Sequence, residues 1–243
     1  MVRMPAKEPQ VALLTGASGG LGSVVLPMFR KAGYRVAAAA LDWPKRPAGC
    51  LIMTVDLTDP KAVQSAVQQT ARRYRRIDCL VHMVGAWEAD QAIEDTKDGV
   101  WQRMLAVNLT AAFHMMRAAI PVMKKAGGGR IVIVGSTAAI QPVRTWCAFS
   151  AAMGGLSALA QTAAAELRPH GITVNLIHPS TIDTAEVHRH YGDDESRKFV
   201  DPHAMGSLML WLCSREGRDV SGSEIAMPGR QPHPAYDWPG LTS

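Results

Sequence analysis

The residues best suited to chemistry stand near the start of the 243-residue chain, in the run Thr15-Gly16-Ala17-Ser18-Gly19-Gly20-Leu21-Gly22. A glycine-rich turn between an apolar strand and a helix lets the backbone approach a pyrophosphate, and the helix start adds N–H groups and positive potential. The same glycines also serve tight strand–helix packing, so the run alone admits either dinucleotide binding or a structural turn. A second concentration of charge, Arg72-Arg73-Tyr74-Arg75-Arg76, falls at the end of an expected helix. Cations there offset the helix dipole, and the run reads as a solvated helix terminus rather than a phosphate patch. With 26 Lys+Arg against 21 Asp+Glu the formal charge is +5, and no nucleic-acid partner is expected. The eight histidines include no HExxH pair, and Cys50, Cys79, Cys147 and Cys213 lack metal-ligand spacing, so no metal site is expected.

The elements that must hold the glycine run follow from the pattern around it. Val11 to Leu14 reads as a buried strand, Ser23 to Ala32 as a helix closed by Gly33, and Arg35 to Leu41 as a second strand. Strands at Cys50–Val55, Cys79–Val84, Arg130–Gly135, Thr173–His178 and Glu224–Met227 then alternate with helices at Pro60–Arg76, Val100–Lys125, Ala151–Leu167 and Pro202–Cys213. That alternation implies βαβ units, hence an α/β fold with a parallel sheet covered by helices on both faces. No linker or repeat divides residues 1–243, which read as one domain. The polar stretch 183–201 has no strand signal and reads as a mobile substrate lid. Apolar residues at 47% and charged residues at 19% exclude intrinsic disorder. No run approaches the roughly 18 apolar residues of a membrane span. The first residues lack the apolar core of a signal peptide, and the cysteines read as reduced thiols, so a cytoplasmic protein with no membrane partner is expected.

The loop TGASGGLG has the form TGxxxGxG and resembles that of the short-chain dehydrogenase/reductase family; the likeness runs over roughly residues 10 to 229. Asp56-Leu57, Asn108 in VNLTAAF, Ser136 in IVIVGS, the stretch Glu166–Thr184 and SGSEIAMPG near the C-terminus match further family motifs in order. The resemblance implies a single Rossmann-like, doubly wound parallel sheet that binds NAD or NADP. It places Gly16, Ser18, Gly20, Leu21 and Gly22 on the pyrophosphate, Asp56 and Leu57 at the adenine, and Gly85, Pro179, Ile182 and Thr184 around the nicotinamide. Ser136 would steady a substrate carbonyl, and Asn108 would shape a helix and position a water. Asp42 would meet the adenosine ribose diol, although Lys45 and Arg46 nearby suit a 2′-phosphate equally, so the choice of dinucleotide stays open. The family also implies a homodimer or homotetramer, through the helices Val100–Lys125 and Ala151–Leu167.

The pattern breaks where the family keeps its proton. About thirteen residues after the serine it carries Tyr-x-x-x-Lys, the tyrosine as general acid/base and the lysine to lower its pKa and hold ribose. Here those positions are Phe149 and Met153. A register that puts Cys147 and Ala151 there breaks the downstream spacings and supplies no lysine. Phe removes the hydroxyl and Met removes the cation, while both keep volume and apolarity. The family's Asn-Asn-Ala-Gly reads His82-Met83-Val84-Gly85 here, and Ser180 stands where a glycine is usual. Pocket liners expected from the family's loops are Trp87, Gln141, Arg144, Trp146, His188, His190 and Tyr191. Three readings follow: an atypical NAD(P)-linked reductase of a carbonyl-containing small molecule, a non-redox isomerase, cyclase or lyase in the inherited pocket, and a pseudoenzyme or partner subunit of an active homologue.

Overall fold

The computed structural model describes residues 9–88 and 92–230. Its strands are β1 (Val11–Thr15), β2 (Arg35–Ala40), β3 (Leu51–Thr54), β4 (Cys79–His82), β5 (Gly129–Val134), β6 (Ile172–Pro179) and β7 (Glu224–Met227). They form one sheet in the order β3-β2-β1-β4-β5-β6-β7, and every neighbouring pair is parallel. The expected α/β, doubly wound architecture is therefore what the chain adopts. Strand order reverses between β1 and β4, and the crevice beyond their carboxyl ends is where such sheets bind ligands.

Strand alternation sends side chains to two cores. Leu13, Leu80 and Ile131 pack with Val63 of α2 (Pro60–Tyr74), Met115 of α4 (Ala111–Lys125) and Leu156 of α5 (Cys147–Leu167). Ala12, Leu14, Val81 and Val132 face the other way, onto Val25 and Phe29 of α1 (Gly20–Lys31) and Met205 of α7 (Pro202–Cys213). Both faces of β1 are thus fully buried, and an apolar run without alternation is the sequence record of that.

Two expected helices and the expected lid come out changed. The one expected over Val100–Lys125 begins at Asp98 and has two parts, α3 (Asp98–Leu105) and α4, joined by a π turn over Ala106–Thr110. By length and composition this 28-residue stretch could cross a membrane, yet α3 packs against α5 and α4 against α2, as a core helix does. The next helix, α5, starts at Cys147, four residues before Ala151, because Ala148 and Phe149 are already buried. The polar stretch 183–201 contains α6 (Ala185–Ser196), capped by Thr184 Oγ1 and broken at Gly192 (φ 77°, ψ 176°).

The arginine run is partly consumed by structure. Arg75 closes α2 in the left-handed region at φ 69°. Arg76 grips Asp78 through Nε and Nη2 at 2.5–3.0 Å, and the same carboxylate accepts the Val11 N–H at 2.8 Å. Arg73 lies 5.4 Å above the Tyr74 ring. These contacts agree with a helix terminus that fastens β1.

Candidate active site and nucleotide groove

The glycine run crosses from β1 into α1 as expected. Gly16 has φ +67°, and a Cβ on it would lie 2.8 Å from the Met83 carbonyl. A Cβ on Gly22 would overlap the Gly16 carbonyl, so the loop and the helix start touch directly. Gly19 donates to the Gly16 carbonyl at 3.1 Å, and α1 begins with no side-chain cap. The resulting cradle of uncapped N–H groups suits an anion. Ser18 is half-buried and Leu21 is buried. Across the groove, the Thr184 side chain stands 2.6 Å from the place a Gly20 Cβ would take. The glycine loop and the start of α6 therefore touch at Gly20.

Beyond β2 and β3 a cavity of about 100 Å³ lies between Ala40, Leu41, Val55, Asp56, Leu57 and Thr58 on one side and Val84, Val107 and Ala111 on the other. Asp56 Oδ1 accepts from Thr58 N (2.9 Å) and Thr58 Oγ1 (2.7 Å). Those bonds hold its carboxyl below the usual range, so a carboxylate faces solvent at the cavity edge. Asp42 is exposed, two residues past the end of β2 and next to the lining residue Leu41. Cradle and cavity together fit the pyrophosphate and base of a dinucleotide.

The second cavity, about 220 Å³, sits where β4, β5 and β6 end. The β4 exit contributes Val84 to Trp87, the β5 exit Val134 to Ser136, α5 Phe149 and Met153, and the β6 exit Pro179, Ser180 and Ile182; Asn108 closes it. Phe149 and Met153 face it because they lie one helical turn apart. Ser136 Oγ accepts the Ala138 N–H at 3.2 Å and caps a short 3₁₀ turn, which leaves its own O–H to donate into the cavity. Ser180 Oγ instead spends its hydrogen on the Pro228 carbonyl at 2.7 Å.

Asn108, 1% exposed, sits in the π turn. Its Oδ1 accepts the Ala86 N–H at 2.9 Å, and its Nδ2 donates to the Ala86 carbonyl at 2.9 Å and the Met104 carbonyl at 3.0 Å. Both amide hydrogens are spent on backbone, so Asn108 fastens the loop after β4 rather than reaching toward a substrate. Below that loop, His82 is buried with Nδ1 2.9 Å from Thr15 Oγ1, and burial pushes its pKa down to about 4. His178, fully buried on β6, lies 3.4 Å from Glu224 Oε2. Its ring crowds Gly135, where a Cβ would come 2.7 Å from Nδ1. Burial lowers its pKa against the raising pull of Glu224.

The expected pocket residues divide. Trp87 lines the cavity, and Trp146 stands beside it, ring centroids 5.3 Å apart. Gln141 and Arg144 lie in the preceding loop and are not part of the lining. His190 and Tyr191, on the kinked segment, pack on each other, and Tyr191 meets Phe199 edge-on; neither is part of the lining. His188 is held by Asp183 at 3.0 Å and Asp193 at 2.9 Å, which raise its pKa. Sequence reasoning missed Val84, which lines both cavities, and the buried His178. Only their places at strand ends could have marked them.

The short chain dehydrogenase family model matches residues 10–195, and the chain belongs to that family. It is 28% identical to D-beta-hydroxybutyrate dehydrogenase of Rhizobium meliloti (strain 1021), over 90% of this chain and 97% of that one. It is 29% identical to trans-4-hydroxycyclohexanecarboxylate dehydrogenase of Sinomonas cyclohexanicum, over 90% and 92% respectively. Among solved structures, ElxO with NADP bound and its tyrosine-to-phenylalanine variant with NADPH bound each superpose with a TM-score of 0.85 at 20% identity. Each covers 91% of this chain and 98% of its own.

Proposed function

We propose that this chain binds NAD or NADP in the groove between the glycine loop and the Asp56 cavity, and reduces a carbonyl-level small molecule without the family's Tyr/Lys pair. One observation carries the reading. Among the described lining residues of the larger cavity, Ser136 alone keeps a hydroxyl hydrogen to donate, while Phe149 and Met153 occupy the wall where an acid and its lysine are expected. Gly16, Gly20 and Gly22 would receive the pyrophosphate, Asp56 and Leu57 the base, and Pro179, Ile182 and Thr184 the nicotinamide end. When bound, the reduced nicotinamide supplies a hydride. Ser136 steadies the substrate atom that gains charge, Asn108 keeps the β4 loop in place, and the apolar wall excludes water. Ribose hydroxyls find no cation at Met153, so the nicotinamide end is held less firmly than the adenine end. The reading includes α6 as a lid, whose first turn withdraws to admit the nucleotide, and a cytoplasmic homodimer or homotetramer.

Calorimetric titration with the oxidised and reduced forms of NAD and NADP tests the nucleotide half. Saturable binding of one pair is expected, and no heat up to millimolar ligand overturns it. Generic ketones and secondary alcohols should turn over negligibly, and brisk turnover by pure protein would sink the claim of a lost proton relay. The Phe149→Tyr, Met153→Lys double variant should gain ketone reduction.

A further inference from the structure

The walls of the larger cavity select a substrate by charge, an inference that rests on the nucleotide reading above. Trp87 and Phe149 line the cavity, and Trp146 joins them, its ring edge-on to each at centroid distances of 5.3 and 5.9 Å. Thr145, a β-branched residue, takes φ +64°, a conformation it adopts only under constraint, immediately before Trp146 at the N-cap of α5. Trp87 is nevertheless 54% exposed, so a large aromatic face stands at the mouth with water on one side. Among the described residues, no ionisable side chain lines this space.

Such a cavity handles the products of hydride addition very differently. A neutral carbonyl becomes an alkoxide, which must be protonated or left charged in an apolar pocket with a single hydroxyl, Ser136, to lean on. A cationic C=N⁺ bond has no such debt. The two electrons of the hydride form the new C–H bond, the C=N π pair becomes the nitrogen lone pair, and the nicotinamide is left in its oxidised, cationic form. No proton is consumed and no anion is made. Aromatic faces also attract a cation without the acidic residue that the lining lacks.

We propose that the cavity binds an iminium substrate, a cationic C=N⁺ on a small apolar ring frame, against Trp87 and Phe149. This accounts together for the missing acid, the missing lysine and the aromatic row.

The test compares two bicyclic probes of similar shape, the cation 2-methyl-3,4-dihydroisoquinolinium and the neutral ketone 1-tetralone. Binding to the purified chain is read by tryptophan fluorescence quenching and calorimetry, without nucleotide and again with saturating nucleotide. The cation should bind roughly 10-fold tighter than the ketone. Trp87→Leu and Phe149→Leu, each checked by circular dichroism for a native fold, should erase that preference. Equal or tighter binding of tetralone overturns the inference, as does a cation preference that survives both substitutions. The nucleotide-free arm separates the two claims. Cation preference without nucleotide affinity refutes the proposed function and leaves the cation site standing, whereas nucleotide affinity without cation preference does the reverse.

Discussion

His82 offers a test of the fold around the active site that needs no substrate. Its imidazole is buried at the end of β4, with one nitrogen on Thr15 Oγ1 and no partner for Nε2 among the described residues. Burial holds the folded pKa near 4, whereas an unfolded histidine titrates near 6.5. Between those values the unfolded chain binds the proton and the folded chain does not, so stability falls as pH drops through this window. It is level above about 6.5 and again below about 4. A separation of about 2.5 units at about 1.4 kcal/mol each gives a loss on the order of 3 kcal/mol, of which about 2 is gone by pH 5. His178, also depressed by burial, titrates in the same direction, so the wild-type slope alone does not isolate His82. Urea unfolding of wild type and His82→Asn across pH 4 to 7.5 does, because the difference cancels what the two proteins share. The asparagine variant should be less stable near neutrality, where it loses the packed ring, and should lose less on acidification. Parallel curves for the two proteins would refute the buried-neutral assignment.

Two further substitutions probe the same corner. Gly135→Ala should lower stability by about 1–3 kcal/mol in urea, since its Cβ meets the buried His178 ring at 2.7 Å; adding His178→Ala should recover part of the loss. Asn108→Ala strands the Ala86 N–H and carbonyl and should cost about 1–3 kcal/mol, with a shift in tryptophan emission as the loop bearing Trp87 loosens.

The sheet was legible because burial on both faces writes itself as unbroken apolar runs, and the glycine loop because close backbone approach admits no other residue. Ser136, Phe149 and Met153 follow from the spacing of the family motif they resemble, and the structure brings all three to one cavity. Legibility failed where a residue's role depends on a neighbour distant in the chain. Nothing in the sequence near Thr184 signals that it abuts Gly20, or that Ser180 spends its hydroxyl on Pro228. The helix breaks escaped for a related reason. The polar stretch 183–201 carries no strand signal, and nothing in it foretells α6, its break at Gly192, or the contact of Tyr191 with Phe199. Trp146 was read as a liner, whereas it acts one layer back, setting the two rings that do line.

An ordinary helix offers a new face every 100°, so a residue inserted into it rotates everything downstream by that amount. The π turn at Ala106–Thr110 is such an insertion, preserved in mid-helix. Upstream of it Met104 looks into the core and lends its carbonyl to Asn108; downstream Ala111 and Met115 again look into the core, but in a shifted phase. A chain shortened by one residue within this turn would still be helical throughout. It would have to choose which half to misdirect, the half that braces the cavity or the half that fills the sheet. The surplus residue therefore works as a phase adjuster, letting one rod serve two walls whose spacings do not match.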